Sequence, residues 1–157
     1  MGKPYSVARS IVVRADAARV HALVNDFRHW TTWSPWEDLD PSMERTYRGP
    51  ESGTDAQYEW SGNKQAGSGT MRITNVTDDA IAIDLHFVKP FPAENRVLFS
   101  FVPVTEGDDR GATKVTWSME GEVSGVMRVF TKIRPMDALI GPDFERGLAQ
   151  LKAEAEG

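Results

Sequence analysis

The stretch Gly69–Val104, GTMRITNVTDDAIAIDLHFVKPFPAENRVLFSFVPV, decides the fold. Apolar residues recur at every second position through Met71 and Ile73, then Ile81, Ile83, Leu85 and Phe87, then Val97, Phe99 and Phe101. Side chains two apart share one face of a β-strand, so each run has a wet side and a side that must be covered. Asp78-Asp79 and Lys89-Pro90-Phe91-Pro92 part the runs with turn-forming chemistry. Working outward, the same alternation predicts strands at Met43–Arg48, Asp55–Ser61 and Thr113–Gly121, beside Gly69–Thr77, Ala80–Lys89 and Asn95–Val104. Tyr5–Arg14, ending in Ile11-Val12-Val13, predicts a further strand at the start of the chain. Short connections between sequential strands favour antiparallel pairing.

Helical spacing is confined to the ends. Asp16 is placed to cap a helix over Ala17–Asn25, where Ala17, Val20, Leu23 and Val24 form one stripe. Phe27–Trp36 predicts a second short helical turn, limited by Pro35. Val123–Arg134 reads as a short helix or covering loop that Pro135 ends. A long helix is expected from Met136 to Ala155, with Ile140, Phe144, Leu148 and Leu151 on one stripe. Pro142 lies near the helix start, where a missing N–H is cheapest, with a small break at Gly141 as the alternative, and Gly147 permits a close approach of helix to sheet. A single helix is narrow cover for so wide a sheet. The expected architecture is therefore α+β, one domain over residues 1–157: a curved antiparallel sheet of about seven strands wrapped around the C-terminal helix, with an apolar hollow between them.

The chain has 157 residues, a net charge of −5 and no cysteine. Lys and Arg are dispersed, which argues against nucleic acid, since binding it depends on a basic patch that neutralises phosphates. Without cysteine there is no disulfide, thiolate nucleophile or Cys-held metal. No run reaches the roughly 18 apolar residues of a membrane span. Met1-Gly2-Lys3-Pro4 carries no hydrophobic signal core, so a cytoplasmic location is expected. No cofactor is expected. The partner these features imply is a small hydrophobic molecule.

On the inward faces, the side chains expected to line a ligand site are Trp33, Tyr58, Trp60, Met71, Ile73, Phe87, Phe99, Trp117, Met119, Phe130, Met136 and Phe144. Aromatic and methionine side chains offer area and polarizable contact to flat or flexible apolar ligands. The same residues would equally serve to pack a solid core. Trp30, Trp33 and Trp36 recur at a spacing of three, fit either to line a pocket mouth or to anchor the short helices. Tyr58, a hydroxyl on an apolar wall, and Arg96, at a strand start, are the candidates for a catalytic or ligand-orienting polar role. His86 and Asp84 fall on the outward parity, as do Glu59 and Arg72, which read as a solvated cross-strand pair. His21 and His29 have no partners at metal-ligand spacing, so no metal is expected. Gly67-Ser68-Gly69 enters a strand rather than a helix, and so reads as a hairpin or bulge element, not a phosphate cradle.

Three segments carry a likeness to a known family: RSIVVRADAARVHALVNDFRHWTTWSPW (9–36), GSGTMRI (67–73) and GPDFERGLAQLK (141–152). Taken together, the chain resembles the START-like, polyketide cyclase/dehydrase-like (SRPBCC, helix-grip) superfamily over nearly its whole length. The resemblance implies a cavity between sheet and C-terminal helix, with its mouth near the helix start. Members include lipid carriers, hormone receptors, aromatic polyketide cyclases and co-chaperones. Three roles follow as expectations: a carrier for a hydrophobic ligand, a cyclase or dehydratase, or a protein-interaction module. The inner face offers no evident acid–base pair, which favours the carrier.

Overall fold

Alternation becomes strand within two residues of each expected limit. The computed structural model describes residues 3–37, 39–40, 42–64, 66–89, 92–123 and 135–157. Its strands are β1 (Lys3–Val13), β2 (Glu44–Arg48), β3 (Gln57–Ser61), β4 (Ser68–Thr77), β5 (Ala80–Lys89), β6 (Ala93–Pro103) and β7 (Thr113–Val123). They form one antiparallel sheet in the order β1-β7-β6-β5-β4-β3-β2. Every strand but β1 pairs with its sequence neighbours, and β1 closes on β7. Between Ser68 and Gly69 the β4–β5 register shifts, so the glycine-led segment is a bulge.

Asp16 opens helix α1 (Ala17–Asn25), its carboxylate accepting the Arg19 N–H at 3.2 Å. Asp26 does the same for a 3-10 helix over Phe27–Thr32, accepting the Arg28 N–H at 2.9 Å. The long helix α2 (Met136–Glu156) passes through Gly141 and Pro142 without a break. Pro142 removes one backbone donor, a small loss in a helix held mainly by its packed face. The segment expected as a helix or covering loop after β7, Phe130 included, lies outside the described residues.

Phe144, Leu148 and Leu151 are buried on one stripe of α2, and the Phe144 ring stacks on Trp117 of β7 with centroids 4.1 Å apart. At Gly147 a Cβ would stand 2.8 Å from both Pro35 and Trp117, so the expected close approach is real. Trp30 and Trp33 anchor the short helices by donating their indole N–H groups to the Val24 and Leu23 carbonyls, each at 2.9 Å. On the outer face, His86 is exposed. Glu59 and Arg72 do not pair with each other. The register sets Glu59 opposite Thr70, so Arg72 meets Asp55 at 2.6 Å and Glu59 meets Arg48 at 3.6 Å.

The first turns of α2 are tied to β1 by Arg9. Its guanidinium bonds both Asp137 carboxylate oxygens at 2.8 Å, and its Nε meets Glu145 at 3.2 Å. Asp137, Gly141 and Glu145 recur every fourth residue, and a Cβ at Gly141 would overlap the guanidinium. The hydrogen bond from Arg9 holds the Asp137 carboxyl below its ordinary value. Such a depressed group contributes fully above its unfolded pKa of about 3.9 and loses that contribution as pH falls through the lower folded value. Amide protection at Gly141 and Asp143 is therefore expected to fall on acidification, relative to β7 amides. Arg9→Gln should remove that pH dependence; equal loss in both proteins would refute the tie.

Candidate ligand cavity

The inner face of the sheet is divided by depth along its strands. Cross-strand neighbours Tyr58, Met71, Leu85, Asn95, Gly121 and Tyr5 form one continuous row from β3 to β1. This row floors an apolar cavity of about 350 Å³, and Trp60, Phe87 and Ala93 continue its wall one step outward along the strands. A second row, Ile81, Phe99 and Trp117, lies four residues deeper along its strands and is solid core. The same division runs along α2: Met136 and Ile140 face the cavity, whereas Phe144, Leu148 and Leu151 are closed in.

The remaining walls come from the Trp-rich segment and the loops. Trp30, Ser34, Trp36, Glu37 and Leu39 cover one side, and Lys89, Pro92 and Glu122 mark the rim. Four of the six methionines in the chain, Met43, Met71, Met119 and Met136, line the cavity. Their unbranched, polarizable side chains re-pack readily around differently shaped guests. Helix α2 lies over β1 and β7, while the aromatic plug of Trp30 and Trp33 fills the centre, so the end near Met136 stays hollow.

Polar groups within these walls are few. The Tyr5 hydroxyl donates to the Asn95 side-chain oxygen. Burial pushes the Tyr5 phenol up to about 12 and raises Tyr58 further. Both phenols are therefore protonated at neutral pH, able to hydrogen-bond but not to abstract a proton. The Tyr58 hydroxyl is buried without a hydrogen-bond partner among the described residues. Glu37 is held by Arg45 through contacts of 2.6 and 2.9 Å. A guanidinium stays charged throughout the accessible range, so this pair is an ion pair and not an acid–base couple. Among the described residues no cluster of His, Asp or Glu has the make-up of a metal site.

Of the residues expected from alternation, Tyr58, Trp60, Met71, Phe87, Met119 and Met136 stand in the cavity wall. Trp33, Ile73, Phe99, Trp117 and Phe144 do not: they are buried in the solid half, on the correct face but too deep. Arg96 is also misplaced. It points from the outer face, 78% exposed, and meets Glu120 at 3.4 Å. The inward residue at that strand start is Asn95, one position earlier, only 4% exposed. Tyr5 and Asn95 were legible by parity, since each continues the inward set of its strand. Trp30 and Trp36 both anchor and line. Leu39 carries no periodic signal because it sits outside regular structure, and Met43, expected to open a strand, lies one residue before β2.

The exposed apolar side chains Val88, Leu98 and Val102 are scattered, Leu98 being bordered by Ala82 and Ser118. They form no continuous patch of the kind a docking surface needs. No described helix is long and apolar enough to cross a membrane.

A family model described as "Polyketide cyclase / dehydrase and lipid transport" matches residues 4–156. The chain belongs to this family. A search of curated proteins finds no significant match. Among solved structures, a protein of unknown function from Staphylococcus aureus superposes with a TM-score of 0.70 at 9% identity, covering 99% of this chain and 95% of that one. Norcoclaurine synthase from Thalictrum flavum gives 0.68 at 12%, covering 98% and 94%. Aha1 from Colwellia psychrerythraea, solved as a dimer, gives 0.61 at 11%, covering 97% and 96%. At such identities the likeness establishes the fold alone. For the family as a whole, ligand binding and cyclase chemistry both fit a sheet, a gripping helix and a cavity between them.

Proposed function

We propose that this protein is a binding or carrier domain that encloses a small, largely aromatic hydrophobic molecule between the sheet and the start of α2. The observation that carries this reading is the hollow itself, about 350 Å³ with a mostly apolar, methionine-rich wall. An engineered apolar cavity of about 150 Å³ suffices to hold benzene. The volume here suits a guest of two or three fused rings or a short branched chain. A ring system burying about 250 Å², as a tryptophan side chain does, gains about 6 kcal/mol before association costs are subtracted. That predicts affinities from about tens of micromolar at best to millimolar for simple apolar probes, and tighter binding for a molecule that also meets the polar groups.

Isothermal titration of the full chain with naphthalene derivatives, a three-ring aromatic and a twelve-carbon fatty acid tests the reading. Saturable binding of an aromatic probe at one site supports it. Heats indistinguishable from dilution across the panel would dispose of it.

A second reading, a cyclase or dehydratase, draws on the family description and on the enclosed shape. Holding a flexible substrate in one reactive conformation accelerates ring closure without any proton-transfer group. It ranks second because both cavity phenols stay protonated and Glu37 is engaged by Arg45. Turnover of a linear poly-β-ketone into a ring, lost in Tyr58→Phe, would reverse the order.

A further inference from the structure

The polar groups of the cavity are not spread evenly, and the pair on its floor is a built feature. Tyr5 of β1 and Asn95 of β6 belong to strands that do not touch, because β7 runs between them. Both stand opposite the same residue of β7, Gly121. With any other residue there, a Cβ would overlap the Asn95 side-chain oxygen and crowd the Tyr5 ring at 3.2 Å. The missing side chain of Gly121 is what allows the hydroxyl and the amide to meet across a whole strand.

The consequence concerns what Asn95 has left to offer. Its oxygen accepts the Tyr5 hydroxyl, which leaves the amide nitrogen on the other side of the group. Its amide nitrogen makes no hydrogen bond to another described residue, and the side chain lines the cavity, so the N–H groups are open to the hollow and not sealed in protein. A donor that faces an apolar hollow and has no protein acceptor is free to bond a guest, and an acceptor placed there gains a hydrogen bond shielded from bulk water.

Resting on the carrier reading, we propose that the Tyr5–Asn95 pair is the recognition point for one neutral carbonyl oxygen of the ligand, which accepts from the Asn95 amide while the rest of the molecule lies along the methionines. A carboxylate suits the place poorly. Glu122 stands at the rim beside Gly121; Lys89 is also at the rim, four residues along β5 beyond Leu85, the partner of Asn95, and Arg45, already paired with Glu37, is on β2, four strands away in the sheet order. An anion buried without a cation is far more costly than a carbonyl given one hydrogen bond. The Tyr5 phenol keeps its proton at neutral pH and so remains able to donate to the Asn95 oxygen.

Two probes of matched shape separate this inference from simple hydrophobic binding: 2-acetylnaphthalene, and 2-isopropylnaphthalene, in which a CH–CH₃ replaces the carbonyl. Dissociation constants for both are measured by calorimetry on the full chain, on Asn95→Leu and on Tyr5→Phe. Asn95→Leu should weaken the ketone about tenfold and leave the hydrocarbon unchanged or tighter, the signature of one lost buried hydrogen bond. Tyr5→Phe removes a single oxygen with little effect on packing and should weaken the ketone selectively by about threefold, through loss of the orienting bond. If both probes shift equally, or neither shifts, in Tyr5→Phe and Asn95→Leu, the recognition point is refuted while the carrier reading stands. If neither probe binds the unaltered protein, both are refuted.

Discussion

Phe144→Ala is expected to destabilise the protein by about 3–5 kcal/mol, a large part of the 5–15 kcal/mol typical of a domain. The Phe144 ring is fully buried and lies almost parallel to Trp117, at an interplanar angle of 7°. Trp36 meets the same two rings edge-on, at 5.5 Å from Trp117 and 6.3 Å from Phe144. Truncation thus loses apolar burial, one stacked pair and one edge contact, and leaves a void that rigid neighbours cannot close. Urea denaturation followed by circular dichroism measures the change. Because Trp36 also walls the cavity, probe affinity should fall in the same variant. A loss below about 1.5 kcal/mol would mean that α2 is held by something other than this aromatic column.

The second large effect is expected at Leu85, in the middle of the cavity floor between Met71 and Asn95. Leu85→Trp places an indole into the hollow, so the dissociation constant for any aromatic probe should rise at least about tenfold. Stability should be unchanged or raised, because the new volume comes from vacant space and displaces no packed atoms. Ile83→Trp is the contrasting substitution. Ile83 lies two residues earlier on the same face of the same strand, but it is 1% exposed in the solid half. Overpacking there costs typically 1–3 kcal/mol and more for so large a change. Calorimetry for binding and urea midpoints for stability distinguish the two. Equal destabilisation by both substitutions would show that the floor has no usable room.

These paired substitutions express how the molecule divides its labour. The aromatic column from Trp33 through Phe99, Trp117 and Phe144 supplies stability, and the methionine-rich row above it supplies space. Arg9 lies near the boundary, tying to β1 the first turns of α2, whose other side forms the cavity edge.

Alternation determined the strands and their inward faces, because a period of two forces side selection before any tertiary contact exists, and the short connections determined the antiparallel pairing of sequential strands. Asp16 determined the start of α1 in the same local way, through a side chain that bonds its own helix. What parity cannot encode is depth. Ile83 and Leu85 share a strand and a face, yet one is sealed in the core and the other borders open space, depending on where the Trp-rich segment and α2 come to rest. Nor does parity reveal that Tyr5 and Asn95, 90 residues apart, meet over Gly121. That contact exists only because the first strand closes on the last, a pairing set by the packing of α2 over both.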